Sequence, residues 1–303
     1  MNADADSVVA TMDIGGTHVT AAHVAVGSRA VVPGRSCRLP LDSHAAAEEI
    51  VGVLVECASR LPALPGNRWA IALPGPFDYE EGIGRYTGVG KFDALNGYDL
   101  GAALAARLHT DASALSFHHD AEAFLAGEWW AGAASGHETA AGFTLGTGVG
   151  SAFLHEGRSV REGPGIPPGG RVDLLRFEGR PLEETVSRQA LRQAYAEQTG
   201  EPEPPDVRGI AERARRGEQA ARVVFTETFR VLGSVLAPCL AQFQPSIVVV
   251  GGSIARAWDL VAGPLRAGLE TGGVVGTQLE LAQLGDAAAL LGAAAMAREA
   301  VLG

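Results

Sequence analysis

The spacing of apolar residues along the first third of the chain shifts from a strand pattern to a helix pattern. Val8–Met12 is a short apolar run, and Val19–Val26 and Arg29–Arg38 are β-rich segments with a Gly-Ser turn between them. Together they predict three consecutive strands. Ile50, Leu54, Ala58 and Leu61 then recur at helical spacing within Ala45–Leu61, behind Ser43 as a candidate cap. Arg68–Leu73 reads as a strand entering the turn Pro74-Gly75-Pro76, Leu100–Leu108 as a helix and Leu115–His118 as a further strand. Residues 77–98 are rich in glycine and tyrosine without a clear period, a long loop of the kind that often serves function inside a compact domain.

The rest of the chain repeats the theme. Ala140–Leu145 reads as a strand, a glycine-rich turn follows, and Ser151–His155 returns as its hairpin partner. Residues 156–182 are irregular, and helices are expected over Glu183–Thr199 and Val207–Gln242, either side of a Glu201–Pro205 turn. Ile247–Val250 is a β-branched run suited to a strand buried on both faces. The alanine-rich stretch Ala287–Leu302 predicts a closing helix. The strand–glycine–strand units at 8–26 and 140–155 occupy matching places in the two halves, which suggests a duplicated α/β lobe with function in a cleft between the copies.

Composition narrows the picture. A length of 303 residues suits two domains, and 47% hydrophobic with 19% charged residues suits a soluble protein with a sizeable core. The net charge of −11 argues against a nucleic-acid or anionic-membrane partner. No run of apolar residues reaches the roughly 18–20 needed to span a bilayer, and the acidic N-terminus does not read as a secretion signal. Cys37, Cys57 and Cys239 form no C-x-x-C pair and read as buried apolar residues. These features predict a cytoplasmic protein. Of the 24 basic residues only Lys91 is a lysine, and Phe92 follows it. A Walker A loop needs Ser or Thr at that place, and the H-R-D and D-F-G segments of protein kinases are absent too.

Four motifs carry candidate chemistry. In Met12-Asp13-Ile14-Gly15-Gly16-Thr17, an aspartate at a strand end precedes a tight turn whose N–H groups can meet phosphate, while Asp13 can hold Mg2+ through water. A plain hairpin turn would look the same. Leu145-Gly146-Thr147-Gly148-Val149-Gly150 is a second glycine turn between strands, unlike the dinucleotide fingerprint, which opens a helix. In Ile247–Ala255 a buried strand ends at Gly251, Gly252 and Ser253, with a helix expected to begin near Ser253. Its G-G-S-I-A run approaches a hydrolase elbow, but all eight histidines lie at or before His155, and that order needs one downstream. His118-His119-Asp120-Ala121-Glu122-Ala123-Phe124 places Asp120 near a helix start, as a proton acceptor or simply as a cap. Adjacent histidines on a strand point to opposite faces, which speaks against a metal pair there.

In order along the chain, these motifs resemble the ROK family of sugar kinases. The resemblance implies two similar ribonuclease H-like lobes of the actin and hexokinase type: residues 1–116 with 287–303, and 117–286. It implies ATP and Mg2+ as cofactors. The nucleotide's phosphates would be held at Asp13, Gly15, Gly16, Thr17, Gly146, Thr147 and Gly148, with the adenosine at Gly251, Gly252 and Ser253. Asp120 corresponds to the family's catalytic base. Gly75 and Pro76 match a sugar-side turn, Lys91-Phe92-x-x-Leu95-x-Gly97 a loop of some members, and Gly285-Asp286-Ala287 the start of the closing helix. Leu182-Glu183 through Ser187 matches Leu-Glu-x-x-x-Ser, making Glu183 the sugar-contacting glutamate.

Departures sit on the sugar side. His119 stands where the family has Asn. The stretch Pro168–Asp173 lacks the usual Glu-x-Gly-His, leaving His119 and Asp173 as candidate replacements, and no cysteine-rich zinc segment is present. The expectation is a zinc-free kinase and homodimer that phosphorylates a primary hydroxyl of glucose or of a modified sugar such as kanosamine or a C7 cyclitol. The alternatives are a sugar-binding pseudokinase and a regulator. Only twelve residues precede Asp13, too few for the helix-turn-helix of the family's repressors.

Overall fold

The computed structural model describes residues 7–302, with side chains through Arg298. The acidic segment before Ser7 lies outside the described residues. Contacts divide the chain into two compact units, Ala133–Gly285 and the residues on either side of it, up to Gly132 and from Asp286.

In the first unit β1 (Val8–Ile14) runs two residues past the predicted strand, so Asp13 is part of the strand. It pairs antiparallel with β2 (His18–Ala25), which pairs with β3 (Ala30–Pro40). After α1 (Ala47–Ser59), β4 (Trp69–Leu73) joins β1 in parallel. The loop 77–98 holds a small hairpin of β5 (Phe77–Asp78) and β6 (Ile83–Gly84). Then α2 (Leu100–Leu108) leads to β7 (Leu115–His119), which pairs in parallel with β4, and to α3 (Asp120–Ala131). The strand order is β3-β2-β1-β4-β7.

Alternation along β1 sorts its side chains. Met12 and Ile14 face a core with Ile71, Leu73, Ile50, Leu54, Leu100 and Leu104. Thr11 and Asp13 point to the other face. Ser43 is not the cap of α1. Its N-cap position is Ala46, with no side-chain hydrogen bond, while Ser43 is buried with its hydroxyl beside Gly16. Cys57 is buried in α1 and donates to the Cys37 carbonyl of β3 at 3.3 Å, whereas Cys37 and Cys239 are only partly buried.

The second unit opens with the hairpin β8 (Thr139–Leu145) and β9 (Val149–His155), followed by β10 (Arg158–Ser159). Short 3-10 turns and the pair β11 (Arg176–Phe177) and β12 (Arg180–Pro181) fill the irregular stretch. Three helices follow: α4 (Arg188–Thr199), α5 (Val207–Arg215) and α6 (Gln219–Phe243). The single helix expected over 207–242 is broken at Gly217, whose φ is +99°. Next come β13 (Ile247–Gly251), a 3-10 turn at Ala255–Ala257, α7 (Trp258–Thr271) and β14 (Gln278–Leu281). The helix expected near Ser253 thus begins at Trp258, and β14 gave no sequence signal.

The order β10-β9-β8-β13-β14 repeats that of the first sheet: three antiparallel strands, then two parallel ones. The expected duplication is therefore present in topology. Helix α6 is, among the described residues, the one long and apolar enough to cross a membrane. Its Phe225, Phe229, Leu232 and Leu236 fill the second unit's core against Phe143, Val248 and Val250, which accounts for its composition.

The chain rejoins the first unit as α8 (Ala288–Leu302). There Ala70 and Ala72 of β4 pack with Ala123 of α3 and Ala293 of α8. The division after Gly132 differs from the expected boundary at 116/117, because α3 packs onto its own sheet and onto α8. Asp120 consequently belongs to the first unit.

Candidate active site

The first turn is built on the end of β1. Ile14 pairs with Val19, and the Gly15 N–H donates to the His18 carbonyl at 2.9 Å, closing the hairpin. Thr17 is exposed at its tip, and its hydroxyl lies 3.1 Å from the His18 ring. Among the described residues the N–H groups of Gly16 and Thr17 have no hydrogen-bond partner. Two such donors on a turn are what a phosphate oxygen requires.

Asp13 sits in a register row that runs Arg38, Thr20, Asp13, Ala72 and His118 across the sheet. Row partners share a face, and here it is the face with Ala72, covered by α3 and α8. Asp120 is the first residue of α3, one place inside the cap position held by His119. Asp286 lies just before α8 and pairs with Arg38 at 2.8 Å. Burial pushes the Asp13 carboxyl up to about 7; the Asp120 charge adds to the rise, Arg38 opposes it, and Asp286 raises it further. Burial and the nearby Arg38 also lower the pKa of His18.

Asp120 keeps an intermediate exposure, and its Oδ1 accepts from the Ala121 N–H at 2.8 Å and lies 3.7 Å from His119 Nε2. Beside it is the Pro74-Gly75-Pro76 turn, whose Gly75–Pro76 peptide is cis. The buried Tyr86 hydroxyl donates to the Pro74 carbonyl at 2.7 Å, and Tyr79 donates to the Leu73 carbonyl at 3.3 Å. A Cβ on Gly75 would meet the Tyr79 hydroxyl at 3.3 Å and the His119 ring at 3.6 Å, so both side chains crowd this turn. Burial and then the Asp120 charge hold the Tyr86 phenol above its ordinary range. Gly75, Pro76, His119 and Asp120, expected on the acceptor side, are thus brought together in the first unit.

In the second unit, Leu145 pairs with Val149 and leaves Gly146-Thr147-Gly148 as the loop, closed by Gly146 N–H to Gly148 carbonyl at 3.0 Å. Thr147 is exposed at its tip, as Thr17 is in the first turn. The N–H groups of Thr147 and Gly148 likewise have no partner among the described residues. Gly252 has φ +90°, and a Cβ there would stand 2.3 Å from the Leu145 carbonyl oxygen, so this turn packs directly on β8. Ser253 has its hydroxyl beside Gly146. The second turn and the Gly251–Ser253 turn therefore form one small-residue surface.

The two remaining acceptor candidates also lie in this unit. Glu183 rests its carboxylate over Gly148, where a Cβ would be 2.9 Å from all three carboxylate atoms. Asp173 is held by Arg171 through Nε at 3.2 Å and Nη2 at 2.5 Å. Ser151, buried on β9, donates to the Gly170 carbonyl and accepts from the Val172 N–H, which pins this segment. The structure thus places Glu183 on the second glycine turn and gives Asp173 an ion-pair partner.

Sequence reasoning missed Arg38, Asp286 and Arg188. The last donates to the Thr147 hydroxyl. It also missed the aromatic support of the Pro74-Gly75-Pro76 turn, where Phe77 packs 5.3 Å from both Tyr79 and Phe117 and Tyr86 packs 5.5 Å from Phe92. The Phe and Tyr content of 77–98 was the available signal.

Comparison with known proteins places the chain in a family. The model of the ROK family matches residues 9–300. A glucokinase of Thermotoga maritima is 30% identical over 257 residues, covering 77% of this chain and 80% of that protein. Among solved structures, the ROK hexokinase of Thermus thermophilus superposes with a TM-score of 0.77 at 24% identity, covering 98% of this chain and all of the other. A ROK family glucokinase from Streptomyces griseus, solved with glucose and AMPPNP, gives 0.76 at 24% identity, over 97% and 100% of the two chains. By the extent of the family match and the identity to a relative over most of both proteins, the chain belongs to the ROK family.

Proposed function

We propose that this ATP-dependent carbohydrate kinase transfers the γ-phosphate of ATP to a primary hydroxyl of a hexose or hexose-like polyol. The observation that carries the reading is Asp120 at the head of α3, partly exposed beside the Gly75–Pro76 turn and close to Asp13 in charge and space. Asp120 accepts the proton of the attacking hydroxyl while the acceptor oxygen bonds to the γ-phosphorus and ADP leaves. In such transfers positioning and charge stabilisation provide most of the rate. Each glycine turn offers unpartnered N–H donors, fixed partial charge of the kind a phosphate oxygen meets.

The donor set fits Mg2+ that arrives with the nucleotide. Among the described residues no three His, Cys, Asp or Glu side chains gather into a cage, which suits a cation that keeps its waters and shares phosphate oxygens with one or two carboxylates. Asp13 is the residue that would hold it, through water. Such an ion would supply charge neutralisation for the phosphates.

The sequence departs from the family's sugar-side motifs at His119 and in Pro168–Asp173. Asp173, offered as a substitute ligand in the segment without Glu-x-Gly-His, is engaged by Arg171. A site that hydrogen-bonds hydroxyls discriminates by roughly 10⁴–10⁵ when a partner is missing, so glucose and a modified sugar such as an amino sugar or C7 cyclitol are the two classes to compare. Use of ATP goes with a cytoplasmic location. The test is ADP release with ATP-Mg2+ over glucose, mannose, N-acetylated hexosamines, glucosamine, kanosamine and C7 cyclitols. Turnover of one acceptor, abolished in its analogue lacking the primary hydroxyl, is the expected result. Equal turnover of that analogue would overturn the reading.

A further inference from the structure

Arg188 is the first residue of α4, and two of its groups meet the second glycine turn. Its backbone N–H donates to the Gly146 carbonyl at 2.9 Å, and its guanidinium donates to the Thr147 hydroxyl. Ser187 caps the helix by accepting from the Ala190 N–H at 3.2 Å. The backbone under the arginine is therefore anchored on both sides, and its exposed side chain has a defined place on the turn.

Charge balance separates Arg188 from the other arginine beside a glycine turn. Arg38, next to the first turn, is matched by Asp286. Among the described residues no carboxylate lies within ion-pair distance of Arg188, and its side-chain partner is a neutral hydroxyl. Giving up a neutral partner on an exposed turn costs little, whereas a guanidinium meeting phosphate gains charge-assisted, two-pronged bonding. The need for a cation here is concrete. The glycine turn itself carries no cationic side chain, and the chain's one lysine, Lys91, belongs to the first unit.

We infer that Arg188 is the cation that holds the distal phosphates of the nucleotide at the second glycine turn, and so sets the preference for di- and triphosphate over monophosphate. The inference rests on the kinase reading above. It makes Arg188 part of the nucleotide site, with Thr147 as its resting partner in the free protein. The glycine turn supplies directional N–H donors and the arginine supplies the net charge that those donors lack.

The experiment is calorimetric binding of β,γ-imido-ATP, ADP, AMP and adenosine, with Mg2+, to the full chain and to Arg188→Ala and Arg188→Lys, with thermal unfolding of each as a control of fold. Arg188→Ala should weaken β,γ-imido-ATP and ADP by about tenfold or more, as expected for a charged hydrogen bond, and leave adenosine within twofold. Arg188→Lys should recover part of the loss, since it keeps the charge without the fork. Unchanged affinity for β,γ-imido-ATP, or an equal loss for adenosine, would overturn the inference while leaving the kinase reading in place. Should Arg188→Ala lower the unfolding temperature, Arg188→Gln, which keeps most of the stem, carries the same comparison. A wild-type chain that binds none of the four would sink both.

Discussion

Gly127 of α3 and Gly292 of α8 meet backbone to backbone: a Cβ on Gly127 would stand 3.1 Å from the Gly292 nitrogen and 2.0 Å from the Ala288 carbonyl oxygen. The contact is reciprocal, since a Cβ on Gly292 would come within 1.7 Å of the Ala123 carbonyl oxygen. The two helices begin at or just after Asp120 and Asp286, whose charges both act on Asp13. Removing two side chains from this crossing lets the helices pack closely enough to bring those carboxylates to one end of the sheet.

Replacing Gly292 by alanine should therefore separate α3 from α8. Overpacking of this kind costs about 1–3 kcal/mol, and a displacement of the Asp120 end by about 1 Å can lower turnover by about 10²-fold. Urea midpoints and kcat of Gly292→Ala test both effects. Wild-type values for the two would show that the crossing has slack.

Two glycines of the second unit should respond in opposite ways. Gly252→Ala meets the Leu145 carbonyl at 2.3 Å with φ at +90°, so it should destabilise the fold by about 1–3 kcal/mol. Gly148→Ala meets only the movable end of Glu183, so its stability should stay within about 0.5 kcal/mol of wild type. Its KM for ATP should rise, because the displaced carboxylate and the new methyl both crowd the phosphate turn. Chemical denaturation and ATP titration of the two variants check the contrast.

His23 is buried on β2, and burial together with the charge of Arg35 holds its pKa below the ordinary 6.5. The unfolded chain then binds more protons than the folded one as pH falls below 6.5. The stability associated with neutral His23 is fully present above that value and is lost as pH drops toward the folded pKa. Denaturation midpoints at pH 7.5 and 5.0 should fall further in wild type than in His23→Gln. An identical drop in both would show that other groups govern the acid side.

Much of the candidate site was legible because each of its turns is specified locally. Asp13-Ile14-Gly15-Gly16-Thr17 and Gly146-Thr147-Gly148 are turns between alternating or apolar runs, and Asp120 follows directly on a strand, so a few adjacent residues specify each. Arg38, Asp286 and Arg188 were not legible, since each acquires its role from a partner far along the chain or from strand register. Arg38 becomes relevant only through Thr20, which aligns it with Asp13. The break between α5 and α6 escaped detection because the arginine-rich stretch before Gly217 keeps a helical period, and a lone glycine is compatible with a helix. The proximity of Cys57 to Cys37 was hidden for the same reason, since it arises from packing of α1 against β3.

The claim that Asp120 is the base for sugar phosphorylation is tested most directly by acceptor-dependent ADP release in Asp120→Asn, at saturating ATP-Mg2+, with nucleotide affinity measured in parallel. The substitution keeps the size of the side chain and removes its proton affinity. The account predicts a fall in kcat of at least about 10²-fold with nucleotide binding unchanged. Turnover within a few fold of wild type would contradict it, and would mean that proton removal at this site does not pass through Asp120.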